Sequence, residues 1–237
     1  MTFSFAKFND PEYRAEMKKK QAEKDARQKQ MEDWRKRTVG ATGHRSDKMG
    51  GFHNALGGYN RNHPLVIQAK QHTLAVLEKL IIEEGMTRFV SGGALGYDTL
   101  FFWCVNHLKK KYPHIENVVA IPFLNQWIAW IDTLPIAVEW YHTMIKTADH
   151  VIDVARHSDY ATNQDRGQKP IHLDYYSKEK MNKRNEFMVD QSCYLLAYYD
   201  GSPRGTGQCI RYAQRNYTNR PRIIRMDPRF GCEPKYC

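Results

Sequence analysis

The 237-residue sequence contains no run of the roughly 18 apolar residues that a membrane-spanning helix needs. Its first residues turn charged almost at once and carry no apolar core of a secretory signal, so a cytoplasmic location without membrane attachment is expected. Cysteine is scarce. The five residues Cys104, Cys193, Cys209, Cys232 and Cys237 are an odd number, which argues against a secreted disulfide scaffold. Cys104, Cys193 and Cys209 sit in apolar or helical contexts and read as small core residues. Cys232 and Cys237 are near enough in sequence to approach each other, but no further ligands stand at zinc-site spacing, so no metal site is expected. The Gly-Lys-Ser/Thr ending of a Walker A loop, the Gly-x-Gly-x-x-Gly dinucleotide fingerprint and His-Glu-x-x-His are all missing. No cofactor is therefore expected.

What the chain has in excess is positive charge, a formal +10 with neutral histidines, alongside a 41% apolar fraction that suffices for a core. Such a surface favours anionic partners from nucleotides to nucleic acid. Residues 10–37 are dense in Glu, Lys, Arg, Gln and Ala, with Tyr13, Met17, Met31 and Trp34 as sparse apolar points. They predict a solvated helix held at Trp34, because acidic residues interleave with the basic ones. Residues 1–37 thus read as a charged N-terminal helical extension, and 38–237 as one ligand-binding domain.

From there strand-like and helix-like segments alternate. Strands are expected near 37–41, 88–90, 117–122, 150–155 and 192–199, with a last one at 222–225. Helices are expected from Pro64 to Gly85 and over 97–111, 178–191 and 205–217, with two pieces broken by Pro135 and possible short structure at 169–173. This is the pattern of an α/β fold, a Rossmann-like open, mostly parallel sheet with helices on both faces. The long loop 46–63, with His53, Tyr59, Asn60, Arg61 and His63, is a candidate ligand cover.

Three glycine-bearing turns follow apolar segments: Thr42-Gly43-His44-Arg45, Ser91-Gly92-Gly93-Ala94-Leu95-Gly96, and the stretch from Asp200-Gly201 to Gly205-Thr206. Glycines there let backbone amides approach a ligand beside helix N-termini, which suits a phosphate. Thr42, Ser91 and Thr206 add hydroxyls. Arg45 offers a planar donor fork, or else pairs with Asp47 at the surface. His44 either meets a ribose or braces its loop. Arg184 and Asn185, on a helix among lysines, are candidates to reach the phosphate and sugar of a ligand, although pattern alone favours a solvated face. Among the carboxylates Asp98, Asp132, Glu139, Asp149, Asp190 and Asp200, Asp200 reads as a ligand contact or turn anchor, and Asp98 as a ligand group or helix cap. Most of Trp127, Trp130, Trp140 and Tyr141 suit helix packing. Gln126 and Trp127, nearest the strand end, are kept as ligand contacts.

Taken together, Thr-Gly-His-Arg at 42–45, Ser-Gly-Gly-Ala-Leu-Gly-Tyr-Asp at 91–98, Ile-Pro-Phe at 121–123 with Gln126 and Trp127, Arg184-Asn185 with Met188-Val189-Asp190, and Asp200-Gly201 with Gly205-Thr206 resemble the YpsA-like branch of the SLOG superfamily. That superfamily also holds the DNA-processing protein DprA and the Lonely Guy phosphoribohydrolases. The resemblance spans about residues 38–228. It implies a pocket for a nucleotide or nucleotide-derived ligand, read by a sensor or sequestering protein. It also admits cleavage of a nucleoside 5′-monophosphate, with Arg184 and Asp98 as catalytic candidates, and DprA-like DNA binding. A homo-oligomer is a further expectation. One departure weighs against cleavage. The hydrolases place a glutamate three residues after the threonine of their glycine-rich turn, and that position here is Cys209.

Overall fold

The computed structural model describes residues 10–54, 56–162, 173–215 and 220–237. A helix, α1 (Pro11–Lys36), precedes the sheet. Asp10 caps it by accepting from the Glu12 amide, and Pro11 occupies its first turn. Its flank is solvated and carries local pairs such as Lys20–Glu16 at 2.6 Å. The anchor at its C-terminal end is Trp34, whose ring lies 3.9 Å from the Arg88 guanidinium. The Thr38 hydroxyl donates to the Trp34 carbonyl at 2.6 Å.

Seven strands form one sheet: β1 (Thr38–Gly43), β2 (Arg88–Ser91), β3 (Glu116–Ile121), β4 (His150–Asp153), β5 (Tyr194–Tyr198), β6 (Arg222–Met226) and β7 (Pro234–Tyr236). Their order is β4-β3-β2-β1-β5-β6-β7. All pairs are parallel except β6 with β7. The fold is thus α/β and Rossmann-like. The sheet is covered on one face by α2 (Pro64–Glu84), α3 (Tyr97–Leu108) and α4 (Pro135–Thr147), and on the other by α5 (Lys178–Asp190) and α6 (Gly205–Arg215).

Side-chain alternation explains why the central strands are apolar throughout. Leu196 and Tyr198 of β5 join Val39, Ala41 and Phe89 beneath α2 and α3. Leu195 and Ala197 join Val189, Cys209 and Ile223 beneath α5 and α6. A strand buried on both faces has no solvent side to mark with polar residues. Gly85, in the left-handed region at φ 66°, ends α2 as expected.

Some expectations need correction. β6 is not the last strand, because the short β7 pairs antiparallel with it at the sheet's edge, where its proline is tolerated. The loop 46–63 is put to structural use. Tyr59 enters the core, the His63 ring caps α2 by accepting from the Leu65 amide, and the Gly57 carbonyl accepts from the Gly96 amide. Cys193 is half-buried rather than in the core, and buried Cys232 and exposed Cys237 are both free thiols. Of the expected short structure at 169–173, residues 169–172 lie outside the described residues, as do 216 and 217 at the end of the expected last helix. No helix among the described residues is long and apolar enough to cross a membrane.

Candidate functional site

The sheet reverses its order of connection at β1 and β5. The helix after β1 packs on one face and the helix after β5 on the other, so the two chains diverge beyond their C-terminal ends and leave a crevice. A cavity of about 300 Å³ sits there. Its lining draws on the turn after β1 (Thr42, Gly43, His44, Arg45, Asp47), the start of α6 (Arg204, Gly205, Thr206, Gln208) and one stripe of α5. The stripe is Lys178, Met181, Asn182, Asn185 and Met188, residues at helical spacing. The β2–α3 segment contributes Ala94 and Asp98.

The polar heart of the site is the meeting of Arg184 and Asp98. Both are nearly inaccessible, and Arg184 Nη1 stands 3.4 Å from Asp98 Oδ2. The same guanidinium nitrogen donates to the Gly92 carbonyl at 2.5 Å. Arg184 therefore is not part of a solvated face, contrary to the reading of its local pattern. Burial raises the Asp98 carboxyl above its ordinary value, while Arg184, Arg45 and the amides of Ala94 and Gly92 pull it back. Burial likewise works against the charge on Arg45, and Asp98 supports it. Four cations, Arg45, Lys178, Arg184 and Arg204, face two carboxylates, Asp47 and Asp98, around the cavity. The alternative pairing of Arg45 with Asp47 does not form as expected. Asp47 binds Arg204 instead, at 2.7 Å across the cavity.

His44 and Asp200 make the brace behind the β1 turn. His44 Nε2 accepts the Asp200 amide N–H at 2.9 Å. Burial lowers the His44 pKa against the pull of the Asp200 carboxylate, whose Oδ1 lies 2.8 Å from the same Nε2. Burial works to raise the Asp200 carboxyl, but Ser202, His44 and Lys48 together hold it well below the usual carboxylate range. Its Oδ1 accepts from the Ser202 amide at 2.9 Å and its Oδ2 lies 3.2 Å from Lys48 Nζ. Asp200 thus serves as the turn anchor.

Of the expected ligand residues, the structure brings Thr42, Gly43, His44, Arg45, Asp98, Arg184, Asn185, Gly205 and Thr206 to the cavity. Ser91, Gly92, Gly93, Gly96, Gln126, Trp127, Asp200 and Gly201 do not line it. Several have protein partners instead. A Cβ on Gly92 would fall 1.5 Å from Arg184 Nη1, so this glycine makes room for the arginine. Gly96, at φ 108°, lets α3 begin against the His44 carbonyl, 2.6 Å from where its Cβ would be. Gln126 is buried and directs Nε2 to the Gly92 carbonyl at 3.4 Å. Trp127 packs edge-on to His142 at 5.0 Å. Among the other carboxylates, Asp149 pairs with Lys109 at 2.5 Å, and Asp190 accepts from Tyr160 and Tyr212.

Sequence reasoning missed Asp47, Ala94, Tyr176, Lys178, Met181, Asn182, Met188, Arg204 and Gln208 as cavity residues. The α5 stripe was legible as helical spacing, but nothing in it said which face met the crevice. Cys209 lies at the floor of an adjoining recess of about 170 Å³. It is 1% exposed, and burial pushes its thiol up to about 11. A neutral thiol supplies no negative charge where a glutamate would stand.

The YpsA family model, described as the YspA SLOG family, matches residues 40–226, from β1 to the end of β6, and leaves α1 outside. The uncharacterized SPbeta prophage-derived protein YoqJ of Bacillus subtilis (strain 168) is 41% identical over 170 residues, covering 72% of this chain and 94% of that protein. The UPF0398 protein BH1768 of Halalkalibacterium halodurans is 27% identical over 176 residues, covering 72% and 80% respectively. A UPF0398 protein of Bacillus cereus (strain ATCC 14579) is 27% identical over 174 residues, covering 71% and 79%. With its crevice at the β1–β5 divide and a family match over most of its length, the chain belongs to the YpsA family of SLOG proteins.

Proposed function

We propose that the protein binds a phosphorylated small molecule, a nucleotide or nucleotide derivative, as a sensor or sequestering protein. One observation carries the reading: Arg45, Arg184, Arg204 and the first turn of α6 converge on a single cavity beyond the C-terminal ends of β1 and β5. The first N–H groups of a helix have no intrahelical partner, and together with the helix dipole they favour an anion. Guanidinium forks match phosphate geometry. The volume lies at the lower end of the roughly 300–1,000 Å³ common for small-molecule sites.

Cleavage of the ligand is less well supported. The acid position falls on a buried thiol, and the two carboxylates that line the cavity are both engaged, Asp98 by Arg184 and Asp47 by Arg204. The surface of α1, where charges of both signs alternate, gives no uniform track for a nucleic-acid backbone.

The test has two parts. Protein purified from its host is denatured, and any released small molecule is identified by mass spectrometry. The purified chain is then melted with a panel of nucleotides while free base is measured. The expected result is a rise in Tm with a phosphorylated nucleotide and no base released. No retained anion and no shift across the panel would overturn the reading. Base release that disappears in Asp98→Asn would replace it with hydrolysis.

A further inference from the structure

Cations and helix amides make up part of the cavity lining, but another part of it has a different chemistry. Asn182, Asn185 and Gln208 line both the main cavity and the adjoining recess. Asn182 also lines a wide depression at the mouth, bounded by Tyr176. Tyr176 is 72% exposed, the barest large apolar side chain among the described residues. Its backbone is nonetheless tethered. The Asp174 carbonyl accepts from the Asn125 amide at 3.0 Å, Arg156 Nη2 holds the Asp174 carboxylate at 2.5 Å, and Lys180 Nζ donates to the Tyr175 carbonyl at 3.1 Å. The Tyr176 ring also meets Phe123 edge-on at 6.2 Å. A wet ring on an anchored support at the rim of a polar cavity is a stacking platform without its partner.

We propose that this wall is a subsite for a planar heterocycle, with Tyr176 as the stacking face and Asn182, Asn185 and Gln208 reading the ring's edge. The inference rests on the phosphorylated-ligand reading above. Side-chain amides each carry donors and an acceptor, so they match the mixed donor–acceptor edge of a nucleobase. Charge on this wall is balanced rather than cationic. Lys178 and Glu179 adjoin each other at the mouth, and Glu186 in the recess pairs with Lys183 at 2.7 Å. A second phosphate therefore has no reason to settle there, whereas a neutral ring does. Stacking one base on an aromatic side chain changes affinity by roughly 5- to 150-fold.

The full chain, Tyr176→Ala and Tyr176→Phe are titrated calorimetrically with ribose 5-phosphate and with the adenine, guanine, cytosine and uracil nucleoside 5′-monophosphates. The parent is expected to bind at least one monophosphate about fivefold or more tighter than ribose 5-phosphate. Tyr176→Ala removes that advantage and leaves ribose 5-phosphate affinity unchanged, while Tyr176→Phe keeps it. Gln208→Leu changes the rank order of the four bases, which stacking alone does not do. An advantage that survives in Tyr176→Ala, or an equal loss for both ligand types, overturns the subsite. So does a parent that binds ribose 5-phosphate and the monophosphates alike, although the phosphate reading then stands. A parent that binds none of these ligands sinks the phosphate reading and the subsite with it. An unchanged rank order in Gln208→Leu removes the edge-reading role.

Discussion

Two glycine turns that look alike in sequence do opposite work. After β2, Gly92 stands where a Cβ would strike Arg184 Nη1 at 1.5 Å and Asp98 Oδ2 at 2.6 Å. After β5, Gly205 has nothing within 4 Å of that point. The first turn is filled by the protein's own guanidinium, and the second is left open. A glycine-rich turn at a strand end therefore signals close approach without saying by what. In this chain one turn fixes the arginine that the other turn's ligand would meet.

The strongest way to break the comparison is to remove the arginine. Arg184→Ala leaves Asp98 buried with one guanidinium fewer and the Gly92 carbonyl without its donor. Breaking such a pair costs about 3 kcal/mol, a fall in Tm of roughly 6–12 °C by calorimetry. A melting temperature within a degree of the parent would show that the pair is not part of the folded framework.

Next come the glycines themselves. Gly92→Ala forces Arg184 aside and is expected to cost about 1–3 kcal/mol. Gly205→Ala meets open space, so its stability should stay within about 0.5 kcal/mol of the parent while phosphate-ligand affinity falls. Paired urea titrations and ligand titrations separate the two, and equal destabilisation would erase the contrast.

A smaller, pH-dependent effect is expected at Asp200. Its folded pKa is depressed, so its ionised form stabilises the turn above the ordinary value of 3.8, and that contribution is lost as pH falls through the depressed value. Asp200→Asn should thus melt below the parent at pH 7, and the gap should narrow progressively as pH drops below 3.8. A constant gap across pH would mean that the carboxylate's charge is not what holds the turn.

The mildest effects belong to the pair that spans the open side. Arg204–Asp47 is exposed, so either substitution is expected to cost less than about 1 kcal/mol. Ligand affinity should separate them in sign. Arg204→Ala weakens binding of a phosphorylated ligand, and Asp47→Asn strengthens it by removing a competing carboxylate. Matching signs in a titration would place Arg204 outside the ligand's reach.

Much of this fold was legible from residue pattern. Helix α2 shows its proline start, its apolar stripe and its glycine stop, all local features. The turns after β1 and β5 were legible as strand-to-helix junctions with glycine and hydroxyl residues. β7 was not, since three residues with a proline carry no strand signal apart from the neighbour they pair with. Arg184 sits between Lys183 and Asn185 and reads as surface, and only its contact with a turn 92 residues earlier in the chain makes it core.

What the order of residues determined by itself was the alternation of strands and helices, because apolar spacing, caps and breakers act over a few residues. It also supplied the cations and glycines that an anion site needs. Which strands became neighbours was decided by tertiary packing, as was which face of α5 met the crevice. The same holds for which glycine turn stayed open. Each of these depends on long-range burial, in which a side chain gains its partner or loses its water according to groups far away in the chain.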